Sequence, residues 1–136
     1  MKKITLILLL VAMLLSLCAC GEKAPEEPTT VSLVSGQSYG SGSKTFRFST
    51  TAPDGTETEV TVQTDKDTVG AALLELGLVD GEDSEFDLYI KTVNGITLDY
   101  DKDGKYWAFY INGEYAMTGV DATPIEDGAI YALVAE

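Results

Sequence analysis

The ten residues 106–115, "YWAFYINGEY", constrain this chain more than any other stretch. Successive side chains of a strand point to opposite faces, so a strand half-covered by its core should alternate apolar with polar. Here Tyr106, Ala108 and Tyr110 share one parity and Trp107, Phe109 and Ile111 the other, so both faces are sticky. Asn112-Gly113 is a two-residue hairpin signal. A regular register then places Ile111 opposite Glu114, Tyr110 opposite Tyr115 and Ala108 opposite Met117. One face carries Tyr106, Ala108, Tyr110, Tyr115 and Met117. The other carries Trp107, Phe109, Ile111 and Ala116, which suits packing beneath a helix.

The rest of the chain supplies the partners. "KTFRFST" alternates through Phe46 and Phe48, "APDGT" has turn chemistry, and "TETEVTVQT" alternates through Val60 and Val62, which predicts a first hairpin. Val69, Ala72, Leu73 and Leu76 recur at helical spacing, with Asp67 or Thr68 to cap the start and Gly77 to end it. After an acidic loop, "EFDLYIKTV" sets Phe86, Leu88 and Ile90 on one face, and Asn94-Gly95 turns the chain into "ITLDY". Residues 129–135 are apolar on both parities, as in a central strand. The order predicts an α+β domain over residues 44–136, a β-grasp-like mixed sheet with a single helix packed on one face. The other face is left bare, and a bare aromatic face in so small a domain is costly to solubility unless used.

The amino terminus is a targeting segment. Met1-Lys2-Lys3 is basic, and residues 4–17 are uncharged but too short to span a bilayer. "LCAC" resembles the lipobox of bacterial lipoproteins, with cleavage after Ala19 and diacylglyceryl attached to Cys20. Residues 1–19 are then the signal peptide and residues 20–43, rich in Gly, Ser, Pro, Thr and Glu, a flexible linker. The predicted location is the extracytoplasmic face of the cell membrane, held by the lipid anchor only.

This processing removes Cys18 and caps Cys20, and the chain has no histidine. Disulfides, a cysteine nucleophile, a thiolate metal site and the common general base are all absent, and no nucleotide or G-x-S-x-G motif appears. The expectation is a protein without enzymatic activity and without a cofactor. Loss of Lys2 and Lys3 moves the net charge from −13 to −15. So acidic a surface excludes nucleic acid, whose affinity rests on Lys and Arg, and is most simply a device for solubility. "DYDKDG" sets Asp99, Asp101 and Asp103 at the first, third and fifth positions of a calcium loop, but Tyr110 stands where that loop needs a bidentate Glu. An Asp-Gly connection between strands is the preferred reading, with no metal site.

Three stretches, "TVGAALLELGLV", "KTVNGI" and "YWAFYINGEYAMTGVDATPIEDGAIYALV", together resemble the transcobalamin-like C-terminal domain, also catalogued as DUF4430 and found in many lipoproteins of Firmicutes. The resemblance covers residues 44–134. It implies a β-grasp fold and a role with a soluble ligand, since a similar domain forms one lid over the corrinoid in vertebrate cobalamin carriers.

Tyrosines with a methionine offer flat apolar area with polar tips, a composition common at recognition surfaces. The competing account is that tyrosine has high β propensity and tolerates water. The functional expectation is a cell-surface lipoprotein that binds a soluble small molecule, with cobalamin as the candidate ligand, through Tyr106, Trp107, Tyr110, Tyr115 and Met117. The alternative is an adhesion or assembly module that pairs with an envelope protein without any small ligand.

Overall fold

Alternating phenylalanines and valines pair as the pattern requires. In the computed structural model, which describes residues 30–84 and 87–136, β2 (Lys44–Thr51) runs antiparallel to β3 (Glu57–Thr64) with Phe46 opposite Val62 and Phe48 opposite Val60. All four side chains are buried. The turn is tied by Asp54, whose carboxylate accepts from the Thr56 amide at 2.9 Å. That bond holds its pKa below the usual carboxylate value.

The helix α1 (Val69–Glu75) starts where Thr68 Oγ1 accepts from the Ala71 amide at 3.3 Å, and buries Val69, Gly70, Ala72 and Leu73. It ends at Gly77, whose φ of 67° is open to glycine at no steric cost. Seven residues make a helix too short to stand alone in water, so its stability comes from that buried face.

β9 (Ile130–Ala135) is the central strand that the apolar run predicts. It lies parallel to β2 on one side and antiparallel to β7 (Trp107–Ile111) on the other. β7 turns through Asn112 and Gly113, both at positive φ, into β8 (Glu114–Tyr115), with Tyr110 opposite Tyr115 and Ile111 opposite Glu114. With β1 (Ser38–Gly40) parallel to β3, the six strands run β1-β3-β2-β9-β7-β8.

A second sheet, β4 (Val79–Asp83), β5 (Leu88–Val93) and β6 (Ile96–Thr97), joins α1 over the inner face of the first. Leu78, Val79, Leu88, Ile90, Val93 and Leu98 form one apolar cluster with Leu73, Phe46, Phe48, Trp107, Tyr131 and Leu133. The molecule is thus α+β, two sheets with one main helix, and mostly strand.

Three features depart from the sequence reading. The expected acidic loop contains β4, whose residues "VDGED" have no strand periodicity and take that form only by pairing with β5. Consequently there are two sheets rather than one. Residues 30–43, read as part of the linker, also join the fold: Leu33 enters the core, its amide donates to Asn94 Oδ1 at 2.7 Å, and Gly95 N donates to Thr30 Oγ1 at 2.8 Å. The Asn94-Gly95 turn, fixed by its own left-handed geometry, is the dock. The signal peptide, Cys20, linker residues 21–29 and Phe86 lie outside the described residues.

Candidate functional site

The outer face of β7 is built from the residue before it. Tyr106 exchanges two backbone hydrogen bonds with Glu136, at 2.9 and 3.0 Å, which extends the β7–β9 pairing by one step and holds the Tyr106 side chain on the outer parity. Two residues on, Ala108 is buried opposite Val134, and Tyr110 stands opposite Ala132. The Tyr110 ring meets Tyr115 edge-on at 5.6 Å and 89°, and its hydroxyl donates to the Glu136 carboxylate. The Tyr115 hydroxyl lies near enough to Tyr106 to raise its pKa. On its other side the Tyr106 ring meets Tyr100 at 6.3 Å and 75°. Tyr100, Tyr106, Tyr115 and Tyr110 form a connected strip of four phenols.

The strip is open. Tyr115 is 55 % exposed and Tyr100 60 %, and Met117 beside the hairpin is 93 % exposed. Three of the five site residues expected from sequence, Tyr106, Tyr110 and Tyr115, therefore lie along the outer side of one hairpin, and Met117 is exposed just beyond its second strand. Trp107 is the exception. Only 6 % exposed, it points the opposite way into the core, and its Nε1 donates to the Lys91 carbonyl at 3.0 Å. The period of two along β7 forces this, because a neighbour of Tyr106 cannot share its face. Trp107 fastens the second sheet to β7 and touches nothing bound on the strip.

Sequence reasoning missed Tyr100 and Tyr89. Tyr100 sits inside "DYDKDG", where the aspartates drew attention. Those aspartates instead shape α2 (Tyr100–Asp103), a single turn capped by Asp99, which accepts from the Asp101 amide at 3.0 Å while Asp103 accepts from the Asp99 amide at 3.0 Å. Among the described residues no group of three or more His, Cys, Asp or Glu could hold a metal ion.

Between α2 and the second sheet the strip runs into a cleft of about 450 Å³ walled by Tyr89, Tyr100 and Tyr106. Lys91 lines it, paired with Glu82 at 3.1 Å and held 5.8 Å from the Tyr89 ring centroid. The hydrogen bond that Lys91 donates to Glu82 raises the Lys91 pKa above its ordinary value, so the ammonium stays charged. A depression of similar size, about 460 Å³, lies over Arg47 and Thr61, away from the tyrosines.

The Tyr115 hydroxyl, then burial and the negative charge nearby, push Tyr106 up to about 12 from the ordinary 10. The bond to Glu136 raises Tyr110 as well. A raised phenol loses stability upward in pH: the contribution is intact below pH 10, where the unfolded chain also keeps its proton, and is lost as pH rises from 10 towards 12. Phenolate absorbance titration should therefore show a late component, and Tyr115→Phe should move it towards 10. A single transition at the ordinary value in both proteins would contradict the strip of interacting phenols.

Haptocorrin, solved in complex with Cbi, superposes with a TM-score of 0.54 at 17 % identity over 68 % of this chain, which spans about a quarter (25 %) of haptocorrin's length. At that identity the likeness concerns the fold alone, and the fold is a transcobalamin-like domain. The chain itself belongs to the DUF4430 family, a domain of unknown function, whose family model matches residues 66–129. A candidate metal-binding protein from Ruminococcus gnavus, known from its crystal structure, is 33 % identical, with a TM-score of 0.65 over 69 % of this chain and 97 % of its own. None of the curated proteins matches the chain.

Proposed function

We propose that the chain is a lipoprotein, anchored through Cys20 on the extracytoplasmic face of the membrane, whose folded domain captures a soluble small molecule on the tyrosine strip. The observation that carries this reading is a run of four neighbouring phenol rings of which Tyr100 and Tyr115 are exposed and Tyr106 and Tyr110 half-buried, with Met117 exposed beside them. A contiguous aromatic patch desolvates a flat ligand at low entropic cost, while hydroxyl tips select its polar groups. The likeness to haptocorrin and the ligand implied by the transcobalamin resemblance make a corrinoid the first molecule to try. The R. gnavus relative's provisional link to metals is compatible with capture of a metal-bearing small molecule. The same reading takes the fold as a β-grasp variant, supported by the strand-strand-helix start and the parallel pairing of β2 with the last strand. It includes no catalysis, in keeping with a sequence that has no histidine.

The test is a titration of the full-length chain in detergent micelles with cyanocobalamin. Trp107 is the chain's one tryptophan and sits in the core beside the strip, so a bound corrin chromophore should quench it by energy transfer. Saturable quenching is expected, and the pair Tyr110→Ala with Tyr115→Ala should weaken it roughly tenfold or more, the size of effect typical of central aromatic contacts. Unchanged emission at millimolar ligand ends the corrinoid assignment. Concentration-dependent self-association or partner binding through the short edge strand β8 would favour an adhesion module instead.

A further inference from the structure

We propose that the cleft between α2 and the second sheet is a separate binding site for a small organic cation of the alkylammonium type. Its walls are aromatic: Tyr89 from β5, Tyr100 from α2 and Tyr106 from the start of β7. Its charge is acidic. Glu82, Asp99 and Asp101 line it against one cation, Lys91, and Lys91 is already neutralised by Glu82 at 3.1 Å. Two carboxylates therefore remain over. Asp99 accepts one backbone hydrogen bond, from the Asp101 amide, and among the described residues no hydrogen bond or ion pair engages the Asp101 carboxylate.

An anion entering this cleft meets net negative charge inside a strongly acidic molecule. A neutral ligand gains the rings but leaves the carboxylates uncompensated. A compact cation with alkyl groups satisfies both, because its charge is attracted to the carboxylates and to the electron-rich ring faces while its methyl groups pack on those rings. The structure already contains an example of half this arrangement, the Lys91 ammonium held 5.8 Å from the Tyr89 ring centroid. A volume of about 450 Å³ falls in the range of small-molecule sites and leaves room for a ligand of choline's size.

This inference is independent of the proposed corrinoid capture. The cleft shares Tyr100 and Tyr106 with the strip but not Tyr110, Tyr115 or Met117, so variants at those three positions remove none of its walls.

The reporter is again Trp107, whose Nε1–H is bonded to the carbonyl of Lys91, the residue that lines the cleft. Its single indole N–H resonance is followed in the full-length chain as choline is added, with 3,3-dimethyl-1-butanol as the neutral isostere and sodium chloride as the ionic-strength control. A saturable shift with choline, absent with the alcohol and with sodium, is expected. Asp99→Asn with Asp101→Asn should weaken choline roughly tenfold or more, since asparagine still caps the α2 turn but carries no charge. Tyr100→Ala should do likewise; that ring is exposed, so its removal leaves the core untouched. Circular dichroism checks that each variant is folded. A shift that grows linearly without saturating, an equal response to the alcohol, or binding unchanged in folded Asp99/Asp101 and Tyr100 variants would overturn the assignment.

Discussion

Trp107→Ala is expected to lower the unfolding free energy by about 3–5 kcal/mol, the typical cost of truncating a large buried aromatic. Two losses combine. The indole fills the junction where β5 of the second sheet meets β7 of the first, and its removal leaves a cavity that neither sheet can close without moving. The Lys91 carbonyl also loses one of its two donors, keeping the Leu98 amide at 2.8 Å, so this second loss is the smaller one, about 0.5–1.5 kcal/mol. Because domains of this kind have only about 5–15 kcal/mol in hand, the variant should lose a large share of its stability. Urea denaturation followed by far-ultraviolet circular dichroism measures the change. Trp107→Phe separates the terms: it keeps most of the bulk, loses only the hydrogen bond and should cost clearly less. A fall below about 1 kcal/mol for the alanine variant would mean that the two sheets are not joined at this residue.

Gly81→Ala is expected to detach β4 from the second sheet. The pairing register of β4 and β5 shifts between Asp80 and Gly81, and there the two backbones come so close that a Cβ at Gly81 would stand 2.1 Å from the Tyr89 carbonyl oxygen and 3.0 Å from Ile90 Cα. The obstacles are backbone atoms, which cannot rotate away as a side-chain tip can. Overpacking of this sort costs about 1–3 kcal/mol and sometimes more. Here the strain has a cheap outlet, since β4 is an edge strand and can leave. Hydrogen exchange should then show protection lost at β4 and its β5 partners while β2 and β3 keep theirs. The Glu82–Lys91 ion pair spans the same two strands, so the choline response of the cleft should fall as well. Retained protection across β4 and β5 in the alanine variant would sink the close-approach argument.

The two expected results have one physical basis, which is that the candidate cleft exists only because the second sheet is held in place. Trp107 holds it from β7, and Gly81 lets its outer strand approach closely enough to bring Glu82 to Lys91. Neither role is visible in a linear reading. Strand parity sets Trp107 on the face opposite Tyr106, but not the second sheet that it meets there. Gly81 stood in an apparent loop.

The features legible along the chain are local in origin. Alternation located β2, β3 and β5, runs apolar on both parities located β7 and β9, the spacing of Val69, Ala72 and Leu73 located α1, and Asn94-Gly95 and Asn112-Gly113 set both hairpin turns because few residues tolerate positive φ there. The hairpin register at Tyr110–Tyr115 and Ile111–Glu114 followed from the turn, and with it the shared outer face of Tyr106, Tyr110 and Tyr115. The rest depends on contacts between distant segments. β1 and β4 have no periodicity of their own and take strand form through hydrogen bonds to β3 and β5. Tyr100 reaches Tyr106, and Tyr89 and Lys91 reach Asp99, because Trp107 draws a second sheet alongside the first. Periodicity records which face of an element is buried; it carries no record of which elements will lie side by side, and a cleft is made of that adjacency.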